Sequence, residues 1–295
     1  MDILKTKISF GPNANKILKI LFIVVVFITF VVFWAGVIIF FTGDDEENIA
    51  GNVINNEEQG EQENCNVFGI MLHGDLITYI SPADYNTEGN LIYDETSSDD
   101  VTYYIEQAEK DEKIKAIILE IDSYGGMPVA GEEIAEALKE AEKPMLALIR
   151  GAGLSSAYYA ATGADTIFAS QNSDVGSIGV TLSYLDNVQK NQREGFTFNQ
   201  LSSGKYKDLM NPDKPLTDEE RGLLMRDVKI MNEDFIKAVA ENRKLDINKV
   251  RKLADGSSML GKMALENGLI DKIGGYPEVK QYLKELIGEE IEICW

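Results

Sequence analysis

Histidine is nearly absent from this chain: one residue, His73, in 295. It stands in an apolar stretch beside Gly74 and lacks the partners that a serine–histidine–aspartate triad requires, so it is read as structural. Cysteine is almost as scarce. Two residues, Cys65 and Cys294, exclude a disulfide framework and a zinc cluster. They leave room for a single bridge if the compartment is oxidising. Positive charge is short as well, with 28 Lys and Arg against 49 Asp and Glu and a net charge of −21. A nucleic-acid partner needs a basic surface to meet its phosphates, so none is expected. No residue pattern points to a metal or an organic cofactor, and none is expected. The chain also has no internal repeat.

What it does have begins with a long hydrophobic run. Residues 20–41, ILFIVVVFITFVVFWAGVIIFF, carry no charge. At about 1.5 Å per residue a helix of this length reaches about 33 Å, enough to cross a hydrocarbon core of about 30 Å. The bulky VIIFF end offers no small-residue cleavage site, which favours an uncleaved transmembrane anchor over a signal peptide. Lys5, Lys7, Lys16 and Lys19 precede the run, and Asp44, Asp45, Glu46 and Glu47 follow it. The positive-inside rule puts the N-terminus in the cytoplasm and the rest of the chain outside. The expected organisation is a cytoplasmic segment 1–19, an anchor 20–41, an acidic tether 42–64 and a folded domain 65–295. The expected location is a cell membrane, crossed once.

In the folded domain strands and helices alternate. NVFGIMLHG (66–74) is a buried strand, and 82–98 a polar loop or excursion. SDDVTYYIEQAEKDEK (98–113) is a capped helix. IKAIILEI (114–121) is a continuous apolar, β-branched run, the mark of a central parallel strand. A helix over 128–143 with Pro128 in its first turn and a strand over 144–150 follow. Another helix starts at about 154, and strands are expected at 165–170 and 177–185. The pattern is that of an α/β domain with a parallel sheet. Beyond it, residues 217–243 form a long helix with a capping box at Thr217 and Glu220. Leu224, Val228, Met231, Phe235 and Val239 are its expected buried stripe. Shorter helices are expected over 247–254, 260–267 and 276–287.

Two junctions carry candidate chemistry. DSYGGMP (122–128) follows the central strand, where a glycine pair lets backbone N–H groups approach a ligand. GAGLSSAYYAATGAD (151–165) holds adjacent serines, Ser155 and Ser156, at the next strand-to-helix turn. They read as a helix cap or as a nucleophile and its neighbour. In α/β sheets, sites gather at the carboxyl ends of strands, so the two junctions could set an oxyanion pocket beside a hydroxyl.

Over roughly residues 66–285 the sequence resembles the signal peptide peptidase A (SppA) family, serine peptidases on the Clp protease/crotonase fold. The likeness rests on ordered motifs: DSYGGMPVAGEEI, GAGLSSAYYAATGADTIFAS, VGSIGVTL, SSGKYKDLMNP and LADGSSMLGKMALENGLIDKIGG. It implies a serine nucleophile with a lysine base, which removes the need for histidine. The family's serine stands three residues before a tyrosine pair, here Tyr158 and Tyr159, which makes it Ser155. The base falls in SGKYKD as Lys207, with Lys205 ranked second. The oxyanion donors correspond to the backbone N–H of Gly126 and Ser156. Ser177 is a weaker candidate for holding the lysine. The chain departs from most relatives at Tyr124, where they have Pro, and at Ser156 and Ala157, where they have a glycine pair. Both changes bear on the substrate pocket more than on the mechanism.

An exposed lysine is neutral in only about 1 molecule in 2,500 at pH 7, so the base needs a dry setting that lowers its pKa. The resemblance further implies a homo-oligomeric ring in which serine and lysine come from neighbouring protomers. It implies cleaved signal peptides or similar flexible apolar peptides as substrates. Three alternatives stand beside it. One is a membrane peptidase that cuts specific membrane-protein partners, another an inactive scaffold of the same fold. The third is an acyl-CoA enzyme of the same superfamily, which would have little use for an extracytoplasmic anchor.

Overall fold

The computed structural model describes residues 65–86 and 89–295. The expected cytoplasmic segment, the anchor at 20–41 and the tether lie outside the described residues. Among the described residues, no helix is long and apolar enough to cross a membrane.

One sheet organises the domain. Its strands are β1 (Val67–Ile77), β2 (Glu95–Ser97), β3 (Ala116–Gly126), β4 (Met145–Leu154), β5 (Thr166–Ala169), β6 (Asp174–Gly176), β7 (Ser258–Leu260), β8 (Lys272–Ile273) and β9 (Ile293–Cys294). The main path runs β2-β1-β3-β4-β5-β8, with β9 on β1, β6 on β4 and β7 on β6. Every pairing is parallel except β6 with β7. The helices are α1 (Ser98–Lys110), α2 (Pro128–Glu140), α3 (Ser156–Ala161), α4 (Val188–Arg193), α5 (Asp218–Asn242), α6 (Ile247–Leu253), α7 (Gly261–Asn267) and α8 (Tyr276–Ile287).

Side-chain alternation splits the core into two layers. Ile117, Leu119 and Ile121 of β3 and Ala147 and Ile149 of β4 face α1, α2 and α3. Ile118, Leu146 and Leu148 face the other way, against Val279 and Leu283 of α8. Residues 116–121 are all buried, which is why the sequence reads as an apolar run broken only by Glu120. The ends of the domain are tied together. Cys65 and Cys294 form a disulfide, and β9 pairs with the first residues of β1.

Four expectations change. β3 runs on through Gly126, so the glycine pair closes the strand rather than following it. The excursion at 82–98 contains β2, an edge strand on β1. The strand expected over 177–185 is absent. Gly176 and Ser177 adopt φ of +99° and +52°, which turns the chain out of the sheet. Ser177 N–H then donates to Ser257, and Ile178 accepts from Gly256 N–H. Leu182, Tyr184 and Leu185 are exposed in the single chain. Lastly, the stripe of α5 is buried only in its second half. Phe235 and Val239 are in the core, whereas Leu224, Val228 and Met231 are half-buried.

Candidate active site

The end of β4 and the start of α3 meet at Ser155, whose φ of 52° and ψ of −126° are strained for a residue with a side chain. Neighbouring bonds hold it there. Its N–H donates to Gly176 O at 2.8 Å, and its carbonyl accepts from Tyr159 N–H at 2.9 Å. Tyr158 is fully buried and donates its hydroxyl to Leu269 O at 2.8 Å, anchoring α3 in the core. Burial raises the Tyr158 phenol well above its usual range. Tyr159 is pushed up to about 12 by burial first, then by Glu132, Glu136, Asp234 and Glu241. Both rings therefore stay neutral at any working pH.

The cap and nucleophile readings of the two serines now separate. Ser155 makes no side-chain capping bond to α3, so its hydroxyl is not used by the helix it precedes. Ser156 is 3% exposed, and its Oγ is buried without a hydrogen-bond partner. A peptide carbonyl cannot reach it. Its N–H lies in the first turn of a helix, where donors have no intrahelical acceptor.

The glycine pair packs directly on this turn. Gly125 has φ +102°, and a Cβ there would sit 2.8 Å from both Leu154 O and Ser155 Cβ. A Cβ on Gly126 would come 2.0 Å from Leu76 O. Only glycine lets β3 pass so close to both neighbours. Ser123 braces the turn, donating its hydroxyl to Gly74 O at 2.6 Å and accepting from Gly125 N–H at 3.0 Å.

Gly126 and Ser155 open into one cleft of about 640 Å³. Tyr124 and Pro128 line it beside them, with Ser177, Gly179, Val180 and Thr181 from the segment after β6. Val228, Lys229 and Asn232 of α5 form another part of the wall, and Ala254, Asp255 and Gly256 complete it. The Asp255 carboxyl is held below its ordinary value by the Ser257 hydroxyl and amide.

Lys207 is exposed and is not among the cleft-lining residues. The structure brings together Ser155, Ser156 and Gly126 but does not bring Lys207 to them within the single chain. Lys205 pairs with Glu219, and that hydrogen bond raises its pKa, which disfavours it as a base. Ser177 lines the cleft but donates its hydroxyl to Gly256 O at 3.0 Å, not to a lysine. His73 lies in a separate polar group. Its Nε2 is 3.0 Å from Glu120 Oε1, and Arg150 donates to Glu120 Oε2 at 3.1 Å. This is a structural cluster on the α8 face of the sheet. Sequence reasoning missed the cleft contributions of Lys229, Asn232 and Asp255. They reach Ser155 from more than 70 positions away, and the apolar stripe of α5 assigns Val228 to the core.

A parallel sheet whose carboxyl ends present a serine on a strained strand-to-helix turn, beside a glycine pair, defines an α/β protein with a candidate serine site. The chain belongs to peptidase family S49, whose model matches residues 137–289, and this is a family of serine peptidases, which are hydrolases. A protein of Methanocaldococcus jannaschii named as a protease is 35% identical over 208 residues, 69% of this chain and 66% of that one. A protein of Enterococcus faecium named as a signal peptide peptidase SppA is 33% identical over 184 residues, 61% of this chain and 54% of that one. The chain thus spans between about half and about two-thirds of the length of these relatives. Among solved structures, a mutant of ClpP1 from Listeria monocytogenes matches at 14% identity and a TM-score of 0.44, over 71% of this chain and 92% of that one.

Proposed function

We propose that the protein is a membrane-anchored serine endopeptidase that degrades cleaved signal peptides or similar flexible apolar peptides on the extracytoplasmic side. The observation that carries this is Ser155 itself: a hydroxyl not used as a cap, on a strained turn, facing a cleft it shares with Gly126. In the proposed mechanism a neutral Lys207 takes the Ser155 proton, and Oγ attacks the peptide carbonyl. The carbonyl oxygen gains the negative charge and is received by the Gly126 and Ser156 amides. The lysine returns its proton to the leaving amine, and water then releases the acyl group by the same route.

A lysine base needs desolvation, and Lys207 is exposed in its own chain. This supports a homo-oligomeric ring in which a neighbouring copy supplies Lys207 to Ser155. The exposed Leu182, Leu185, Phe196 and Leu201 on the same segment support contact with another copy. The name of the Enterococcus relative supports signal peptides as substrates. The charge-free run at 20–41 supports the anchor, and a bridged Cys65–Cys294 pair supports an oxidising compartment.

Synthetic signal peptides incubated with the full chain in detergent test the reading. Wild type should degrade them, and Ser155→Ala and Lys207→Ala should not. Mixed oligomers of the two inactive variants should recover part of the activity, because some interfaces pair an intact Ser155 with an intact Lys207. Active Ser155→Ala protein would overturn the nucleophile assignment. Mixed oligomers that form without activity would overturn the shared site. No hydrolysis by wild type would favour an inactive scaffold.

A further inference from the structure

The charged residues of α5 are mostly neutralised by near neighbours. Arg226 pairs with Asp227 at 2.8 Å, Lys237 with Asp234 at 2.9 Å, and Glu233 with Arg251 at 2.5 Å. Arg221 and Lys229 have no side-chain ion-pair or hydrogen-bond partner among the described residues, and of these two exposed cations only Lys229 lines the cleft that holds Ser155. Asn232, one helical turn further on, lines the same cleft, and its side-chain amide is also unpartnered among the described residues. Residues three apart on a helix share a face, so an ammonium and an amide stand side by side.

The helix that carries them is tied to α3. Phe235 stacks on Tyr159 with ring centroids 5.1 Å apart and planes 11° from parallel, which clamps α5 to α3 four residues after the serine. Asn242 adds a second tie, donating to Thr162 Oγ1 at 2.9 Å. Asp255, the one anionic residue in the lining, is occupied by the Ser257 hydroxyl at 2.6 Å and amide at 2.9 Å. The cleft thus holds one cation, Lys229, with a hydrogen-bond donor beside it, and one anion, Asp255, which keeps its charge while Ser257 takes up its Oδ1. The pair of Lys229 and Asn232 matches a carboxylate, which accepts charge-assisted hydrogen bonds at both oxygens.

We propose that Lys229, assisted by Asn232, is a specificity-determining residue that receives a carboxylate of the peptide bound at Ser155. The inference rests on Ser155 being the reactive serine. The carboxylate has two chemical sources, an acidic side chain near the cut bond or the free end of a short peptide, and the test separates them.

Two pairs of otherwise identical fluorescent peptides serve as probes. One pair differs by Glu against Gln, the other by a free C-terminal acid against an amide. Full-chain wild type should cleave the carboxylate member of one pair with kcat/KM about tenfold higher, the size of one charge-assisted hydrogen bond. The pair that responds names the source. Lys229→Met should collapse that ratio to near unity, and Lys229→Arg should keep it, since guanidinium also receives a carboxylate. An unchanged ratio in Lys229→Met overturns the proposal. So does a Lys229→Arg protein that is inactive on all four peptides, because that would make Lys229 a proton acceptor. Anisotropy of the same peptides on Ser155→Ala protein reads recognition without turnover. If wild type cleaves nothing, the peptidase reading fails separately. The binding preference and its loss in Ser155→Ala/Lys229→Met then decide this inference alone.

Discussion

Reducing the Cys65–Cys294 bridge perturbs the fold at a point far from the cleft, and its magnitude follows from the closed loop. The two cysteines are 229 positions apart in sequence. The chain-entropy treatment gives about 5 kcal/mol for a loop of that length, and measured removals of native bridges fall at about 2–5 kcal/mol. The native contacts around the bridge do not depend on it. β9 still pairs with β1 at Val67 and Phe68. The Trp295 ring packs so closely that a Cβ on Gly69 would come 2.3 Å from it, and Tyr276 meets the indole edge-on at 5.7 Å. The effect therefore acts through the unfolded chain, which regains the freedom of an open loop. In a domain of this size each kcal/mol moves Tm by about 2–4 °C, so Cys65→Ser/Cys294→Ser protein should melt about 5–15 °C lower than oxidised wild type. The assay is calorimetry of the full chain in detergent, with and without reductant. Reductant should lower the wild-type transition to that of the double variant and leave the variant unmoved. Coincident melts for all four samples would refute the argument, by showing that the unfolded chain is not constrained by the bridge.

Gly125→Ala places a Cβ 2.8 Å from Leu154 O and Ser155 Cβ at a φ of +102°. The serine turn must shift, and peptide hydrolysis should fall by about 10²-fold, the scale of a misplaced reacting group. Near-UV circular dichroism should show the fold retained, and full activity would mean that the Gly125–Ser155 contact is not needed. Glu220 is held down to about 2 by Lys214 first, through a 2.6 Å ion pair, and then by the Thr217 amide and hydroxyl. Its folded value lies below the unfolded 4.5, so its contribution is complete above that pH and is lost as pH falls through about 2. Amide exchange at the start of α5 should therefore speed up as pH falls from about 5 towards 2, after correction for intrinsic rates, and Glu220→Gln should flatten that dependence. An identical profile in the variant would contradict the assignment.

The central sheet was legible in the sequence because the cores of β3, β4 and β5 are covered on both faces, and burial on both faces writes itself as apolar letters with few interruptions. The capping box of α5 was legible because Thr217 and Glu220 satisfy each other locally. The segment 177–185 carries the same apolar letters with no sheet to receive them. Positive φ at Gly176 and Ser177 sends it away, and nothing in the letters announces that turn. The stripe on α5 misled for a related reason. Tyr159 and α3 cover only the half of the helix around Phe235, so Val228 borders a cleft. Of the candidate site, Ser155, Ser156 and Gly126 were legible as candidates because they lie in short ordered motifs. Lys229 and Asn232 belong to no motif, and Asp255 lies in the LADGSSML motif without a role read for it; all three meet the serine only through the packing of α5 and the 254–256 turn. The bridge between Cys65 and Cys294 was open on sequence grounds, since pairing depends on the approach of β9 to β1.

The reactivity of Ser155 is tested most directly by a fluorophosphonate probe followed by mass mapping of the labelled peptide. The probe forms a bond only with an activated serine, so it needs no knowledge of the substrate. Wild-type protein should carry one label, on Ser155. Ser156→Ala should still be labelled, because in the proposed mechanism that position contributes only an amide, and its hydroxyl is buried. Ser155→Ala should not be labelled. Label on Ser156 or elsewhere, or label that persists in Ser155→Ala, would contradict the account.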